Sequence, residues 1–351
     1  MTPARDAFWR GKRVLLTGHT GFKGAWLAIW LDRLGAKITG LGLPPLTQPS
    51  LFLEADVATL CDSRICDVRD RDAVAAIVAD ARPEIVFHLA AQPLVRASFR
   101  EPQATFATNV MGTVNVLDAL HASDHVRVAV MITTDKVYRD DNTRRAYRED
   151  DPLGGHDPYS ASKAACEIAI SSYREAFLSA RDVAVASARA GNVIGGGDWS
   201  DDRLIPDAVR AWQAGQPLAV RRPDAVRPWQ HVLEPLHGYL TLARRLWQEK
   251  PLAGAYNFGP QADDAVPVRD LVDMARAAYG SGEARFNGMA EGPHESPWLT
   301  LDSTKARELC HPKLSLARAI ETTMRWYRAH REGADARVLC QSDIAAYEAL
   351  A

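Results

Sequence analysis

A short apolar run, Arg13-Val14-Leu15-Leu16-Thr17, feeds directly into Gly18-His19-Thr20-Gly21-Phe22-Lys23-Gly24, and apolar residues at helical spacing follow over 22–34. Few local patterns restrict a fold as strongly. A strand without polar alternation is covered on both faces, which is the situation of a strand inside a parallel sheet. The first two glycines of a GxxGxxG loop permit a tight turn and a close approach of backbone to a pyrophosphate. The third lets the following helix pack on the strand, and that helix presents its N-terminus to the anion.

The alternation then repeats. Further strands are predicted over 37–43, 63–66, 85–90, 126–133 and 183–188, and further helices over 70–81, 105–122 and 159–180. Gly35 is placed to end the first helix and Pro83 lies just beyond another. Repeated strand–helix units imply an α/β fold with a doubly wound parallel sheet of Rossmann type. From Gly191 onward glycine and proline become denser (Gly195-Gly196-Gly197, Pro206, Pro217, Pro223, Pro228) and the segments shorten. The expected division is an NAD-binding Rossmann domain over 1–190 and a smaller, mainly substrate-binding lobe over 191–351. Residues 255–258 are expected to return to the main sheet as a strand.

Charge and cysteine usage exclude several classes. Lys plus Arg (42) nearly balances Asp plus Glu (44), with no basic run, so attraction to nucleic-acid phosphates has no support. The five cysteines (Cys61, Cys66, Cys166, Cys310, Cys340) form no CxxC pair and read as reduced thiols. Histidines are scattered without HxxxH or HExxH spacing, so no metal is expected. No apolar stretch is long enough for a membrane span, and residues 1–12 hold no signal-peptide core. A cytoplasmic protein without membrane partners is the expectation.

Tyr159-Ser160-Ala161-Ser162-Lys163 is a YxxxK pair opening a predicted helix, and side chains at i and i+4 share a helical face. An ammonium beside a phenol favours the phenolate, lowering a pKa of about 10 so that the tyrosine can take a hydroxyl proton. The fifth predicted strand ends in Thr133-Thr134-Asp135-Lys136. Residues at the carboxyl ends of parallel strands face the ligand crevice, so this tetrad should border the cofactor.

The GxxGxxG spacing resembles the extended short-chain dehydrogenase/reductase superfamily. One expectation of that resemblance meets an exception. A carboxylate about 20 residues past the loop should grip the ribose diol, but the chain there reads Pro44-Pro45, with no Arg or Lys for an NADP phosphate either. NAD remains the expected cofactor, with Asp67 carrying more of the argument because the superfamily places that position near adenine.

Longer strings narrow the resemblance to the CDP-glucose 4,6-dehydratases. They are Phe8-Trp9 with Gly11-Lys12-Arg13-Val14, the glycine loop, His88-Leu89-Ala90-Ala91-Gln92-Pro93-Leu94-Val95-Arg96 and Asn109-Val110-Met111-Gly112-Thr113. Asp135-Lys136, Arg189 through Trp199 and Arg227 through Val232 continue the match. dTDP-glucose dehydratases carry Glu where Lys136 stands, so Asp-Lys points to the cytidine branch. The resemblance implies that Gly18, Gly21, Phe22, Lys23 and Gly24 meet the NAD pyrophosphate, Asp67 and Val68 the adenine, and Leu89, Ala90 and Ala91 the cofactor ribose. Gln92, Asn192, Arg203, Arg227, Asn257, His294 and Glu295 are implied for the sugar nucleotide. Thr134, Asp135, Lys136, Tyr159 and Lys163 are implied for catalysis. Oxidation at carbon 4 would be followed by loss of water across carbons 5 and 6 and reduction at carbon 6. Alternatives on the same scaffold are an NAD-dependent sugar-nucleotide 4-epimerase, a dehydratase of another nucleotide sugar, and a non-catalytic NAD-binding protein. The resemblance also implies a homodimer packed through helices 105–122 and 159–180. Their apolar residues Val110, Val114, Leu117, Ile168, Ile170 and Phe177 suit either such an interface or an ordinary core.

Overall fold

The computed structural model describes residues 7–140, 144–260, 265–286 and 298–350. Seven strands make one parallel sheet: β1 (Arg13–Thr17), β2 (Lys37–Gly42), β3 (Asp62–Ile65), β4 (Ile85–His88), β5 (Val128–Ile132), β6 (Ala184–Ala190) and β7 (Gly254–Phe258), in the spatial order β3-β2-β1-β4-β5-β6-β7. The order reverses between β1 and β4, which opens a crevice at their carboxyl ends. Every residue of β4, β5 and β6 is buried, because helices cover both faces of the sheet.

Helix α1 (Phe22–Arg33) follows the glycine loop and is buried from Gly24 through Leu31. Its Trp26 and Trp30 are fully covered. Helices α2 (Arg71–Ala81), α3 (Gly112–Ala122) and α4 (Pro158–Tyr173) cover the other face, where Val116, Leu117, Leu120 and Ile170 meet Leu15, Val86 and Ala129. The helix predicted over 105–122 starts earlier, at Pro102, and widens by one residue over Ala107–Met111 before α3. There the Asn109 carbonyl accepts from the Cys166 thiol at 3.1 Å, and the Asn109 side chain donates to Ser162 Oγ at 2.9 Å. A turn opened in this way gives up a backbone bond to reach a neighbour. The helix predicted over 159–180 likewise leaves regular form after Tyr173. Strand β4 ends at His88, two residues short of prediction, because Leu89 and Ala90 turn to donate their N–H groups to Thr17 Oγ1, both at 3.1 Å.

Beyond residue 190 lie α5 (Leu204–Gln213), α6 (Leu233–Gln248), α7 (Val268–Tyr279), α8 (Leu316–Arg331) and α9 (Ala336–Ala349). Three two-stranded ladders accompany them: Val193–Ile194 with Gln230–His231, Val226–Arg227 with Val266–Pro267, and Leu218–Val220 with Ala284–Phe286. This half is not separate in its packing. One apolar cluster runs from Trp9 and Trp26 through Trp212 and Tyr239 to Tyr347. The C-terminal helix is tied to α1 where Trp30 Nε1 donates to Glu348 Oε1 at 2.8 Å. None of the described helices is long and apolar enough to cross a membrane.

Candidate active site

The glycine loop is shaped by contact rather than by flexibility. Gly18 has φ +74°, and a Cβ there would lie 2.7 Å from the Ala90 nitrogen. A Cβ on Gly24 would come within 2.0 Å of the Gly18 carbonyl oxygen. Both positions therefore admit only glycine if the loop is to stay against the β4 turn. Gly21 caps α1 with no side-chain acceptor, and no acidic residue stands in the first turn. The leading N–H groups are thus left to an external anion. This cradle fits a dinucleotide pyrophosphate.

Asp67, Val68, Leu89, Ala90 and Ala91 line the same crevice, as do Leu43, Pro44 and Pro45. The Asp67 carboxylate accepts from Arg69 N, Nε and Nη2 at 2.5–2.9 Å, and these bonds hold it below the usual carboxylate range. No carboxylate follows β2. The fully buried His19 ring fills the space beside Gly40, where a Cβ would lie 2.5 Å from His19 Cδ2, and its Nε2 is 2.7 Å from Ser63 Oγ.

The tetrad after β5 is a compact polar group. Thr134 caps the short helical turn Asp135–Val137. Its hydroxyl donates to Asp135 Oδ1 at 2.9 Å, and the same oxygen accepts from Lys136 Nζ at 2.9 Å. Asp135 is fully buried, and its Oδ2 has no partner among the described residues. Glycine at 191 leaves room for that oxygen, since an added Cβ would lie 3.3 Å from it. A buried carboxyl with one oxygen unpartnered at the crevice wall leaves an acceptor for a polar group of a ligand.

Tyr159 and Lys163 reach the crevice from the first turns of α4, which is set by Pro158 at its first position and by Asp157, whose side chain accepts from Ser160 N at 2.9 Å. Lys163 Nζ donates to the Ile132 carbonyl at 3.2 Å, which fastens α4 to the end of β5. The expected lowering of the phenol by this lysine is not what the site shows. Burial pushes Tyr159 up to about 12, while the nearby Thr134 hydroxyl and the Arg203 charge act in the opposite direction. Burial also lowers Lys163. Desolvation outweighs the neighbouring cations in this pocket.

The remaining residues divide. Asn192, Arg203 and Arg227 line the crevice. Arg203 Nη1 pairs with Asp198 Oδ2 at 3.0 Å, and Arg227 is buried with Nη1 donating to the Val226 carbonyl. Gln92 and Asn257 do not line it. The Gln92 side chain donates to Thr105 Oγ1 and accepts from Leu94 N, which fixes the turn after β4. Asn257, fully buried, donates to the Tyr147 and Asp302 carbonyls and accepts from the Tyr138 hydroxyl. Its amide is engaged inside the protein, where it ties β7 to Tyr138, Tyr147 and Asp302. His294 and Glu295 lie outside the described residues. Sequence reasoning missed Arg96, Arg221 and Arg222, which also line the crevice. Arg96 and Arg221 both approach Asp202 Oδ1, at 3.5 and 3.8 Å. Arg96 stood in the quoted family string, whereas an Arg-Arg pair before a proline carries no signal of its own.

Comparison with known proteins places this geometry. Residues 14–259 match the family described as the NAD dependent epimerase/dehydratase family. A CDP-glucose 4,6-dehydratase of Salmonella typhimurium is 42% identical over 348 residues, 97% of each chain. Among solved structures, a UDP-glucuronic acid 4-epimerase from Bacillus cereus in complex with NAD superposes with a TM-score of 0.78 at 20% identity, covering 90% of this chain and 99% of that one. A dTDP-glucose 4,6-dehydratase from Bacillus anthracis in complex with NAD gives 0.75 at 18% identity, covering 92% and 98%. At such identities the two structures share the fold.

Proposed function

The chain belongs to the NAD dependent epimerase/dehydratase family, and from that premise we propose that it converts CDP-glucose to CDP-4-keto-6-deoxyglucose. NAD is the cofactor, and when bound it supplies the acceptor and later the donor of a hydride. The protein's own residues manage the protons. Tyr159, with Thr134 beside it and Lys163 holding α4 to β5, takes the proton of the sugar 4-hydroxyl as its phenolate, the form that the positive charge of bound NAD would favour against the burial that raises the phenol in the free protein. The ketone formed at carbon 4 acidifies the hydrogen on carbon 5. Lys136 removes that proton, and Asp135 protonates the departing 6-hydroxyl, so that water leaves. Reduction at carbon 6 then needs a proton at carbon 5, which Lys136 returns, and the proton held by Tyr159 passes through the Thr134 hydroxyl to the Asp135 carboxylate, which resets the site. Arg203 and Arg227, with Asn192, suit the substrate diphosphate, since guanidinium groups meet phosphate oxygens in a bidentate fork.

The observation that carries this reading is the buried Asp135 carboxyl, bonded to Lys136 and Thr134 on one oxygen and open on the other, in the crevice shared with Tyr159. Epimerisation needs no such acid–base couple. The test is mass spectrometry of products from CDP-, UDP- and dTDP-glucose, run in parallel with Asp135→Asn and Lys136→Met. Loss of one water from CDP-glucose, with turnover falling about 10²–10⁴-fold in both variants, is the expected result. An unchanged product mass would identify an epimerase. Preference for UDP- or dTDP-glucose would move the nucleotide assignment.

A homodimer in the cytoplasm belongs to the same proposal. Its support is a set of exposed apolar side chains on the α3–α4 side, including Ile168 (63% exposed), Phe177 (42%), Phe106 and Met111. Leu117 and Ile170 are core residues instead.

A further inference from the structure

The turn that carries Asp135 and Lys136 is held at both ends by one buried ion pair. Thr133 enters the turn and Tyr138 leaves it, with Thr134, Asp135, Lys136 and Val137 between them. At the entry, Thr133 Oγ1 donates to Glu167 Oε1 at 2.5 Å. At the exit, the Tyr138 hydroxyl accepts from Arg189 Nη1 at 2.8 Å and donates to Asn257 Oδ1 at 2.6 Å. Glu167 Oε2 and Arg189 Nη2 meet at 2.7 Å, with each side chain only 4% exposed, and this contact joins the two ends. Ser187 Oγ donates to the same Glu167 oxygen at 2.7 Å. The ring of bonds therefore runs from the end of β5 to Glu167 on α4, to Arg189 on β6 and back to Tyr138, with Asn257 of β7 attached. Thr133 and Tyr138 border the crevice, whereas Glu167, Ser187 and Arg189 stand behind it and do not line it. Tyr159 reaches the crevice from a different anchor, the Lys163 bond to the Ile132 carbonyl at 3.2 Å.

We propose that Glu167, Arg189 and Tyr138 are positioning residues for the elimination step: their ring of bonds fixes the span from Thr133 to Tyr138, and so sets where Asp135 and Lys136 meet the sugar. This rests on the dehydratase reading of the site and goes beyond it, since none of the three acts on the hexose. Two groups must serve carbons 5 and 6 of one sugar at the same time, and a displacement of about 1 Å in either costs about 10²-fold in rate. A buried guanidinium–carboxylate pair suits the task, because charge-assisted bonds are short and directional and are stronger in the interior than in water. Its charges cancel locally, so the turn is held without a net charge placed behind Asp135 and Lys136. The two ends of the ring differ in what they govern. Tyr138 lies two residues from Lys136, whereas Thr133 adjoins Thr134, which also serves Tyr159. Loosening the exit should therefore slow elimination alone, and loosening the entry should slow the oxidation at carbon 4 as well.

Single-turnover stopped flow of the NAD-loaded full chain with CDP-glucose separates the steps, because absorbance of the reduced nicotinamide rises on oxidation at carbon 4 and falls only after elimination. In Tyr138→Phe the rise should stay within about twofold of the wild type while the fall slows by about 10–100-fold. Thr133→Val should slow both phases by about tenfold or more, and Thr133→Ser, which restores the hydroxyl, should bring both back to within about threefold. The Kd for CDP-glucose should change by less than about twofold in all three variants, since the loss is confined to the transition state. Urea unfolding run beside the kinetics reads the structural contribution separately. A lowered urea midpoint in Tyr138→Phe with both phases unchanged overturns the inference. So does equal slowing of rise and fall in that variant, or a Thr133→Ser protein no faster than Thr133→Val. A wild type that removes no water from CDP-, UDP- or dTDP-glucose, judged by product mass, overturns the dehydratase reading itself.

Discussion

Removing one carboxylate beneath the crevice should destabilise this protein more than any surface change. Glu167 lies one turn beyond Lys163 on α4, and its side chain and that of Arg189 are each only 4% exposed. Its Oε1 accepts from Thr133 Oγ1 at 2.5 Å, and its Oε2 accepts from Ser187 Oγ and Arg189 Nη2, both at 2.7 Å. Arg189 also donates to the Tyr138 hydroxyl and the Glu149 carbonyl, and its Nε has no partner among the described residues. In Glu167→Ala the guanidinium stays buried without its counter-charge, and two buried hydroxyls lose an acceptor. Breaking a buried pair on one side costs about 3–5 kcal/mol, and an orphaned hydroxyl about 1–3 kcal/mol. These contributions overlap, so about 5 kcal/mol is expected for Glu167→Ala and roughly half for Glu167→Gln, which keeps the shape and an acceptor. Urea unfolding followed by tryptophan fluorescence measures both. The double variant Glu167→Gln/Arg189→Met removes both charges and should recover about 2 kcal/mol relative to the sum of the single changes. Thr133 immediately precedes Thr134, so kcat should fall more than KM rises. A loss below about 1 kcal/mol for Glu167→Ala, or strict additivity in the double variant, would refute the buried-charge argument.

Gly24→Ala forces a Cβ to within 2.0 Å of the Gly18 carbonyl, and NAD affinity should drop by about 100-fold or more while the sheet remains folded, a split that fluorescence titration and circular dichroism separate. His88 and His231 are pushed down to about 3, chiefly by burial. Unfolding lets them return to about 6.5, so the unfolded chain binds more protons below that pH. Stability should fall as the pH drops from about 6 to 4, each histidine contributing about 1.4 kcal/mol per pH unit. His231→Gln should flatten the measured slope by that amount, and an unchanged slope contradicts the assignment.

Much of the fold was legible in the chain because its central strands are fully buried. An uninterrupted run such as Val128 to Ile132 carries the same message in any parallel sheet. The YxxxK pair and the Thr134-Asp135-Lys136 sequence were equally plain, because helix and strand geometry alone bring them to one end of the sheet. Other features were beyond reach. The resemblance implied Asn257 and Gln92 for the substrate, yet the Asn257 amide meets carbonyls 110 and 45 residues away, and the Gln92 amide is spent on Leu94 and Thr105. The widened turn at Asn109 answers to Cys166, 57 residues away. The closeness of α9 to α1 depends on Trp30 finding Glu348, a pairing that no local pattern announces.

By itself the sequence determined the parallel sheet, the glycine cradle and the residue types at the strand ends, because each follows from spacing along a few consecutive residues. Only the tertiary structure decided the state of the site. Burial raised Tyr159 despite its lysine, set three cations around Lys23, and left one oxygen of Asp135 without a partner among the described residues. Desolvation and charge balance are sums over groups brought together from the whole chain, and such sums do not exist until it has folded.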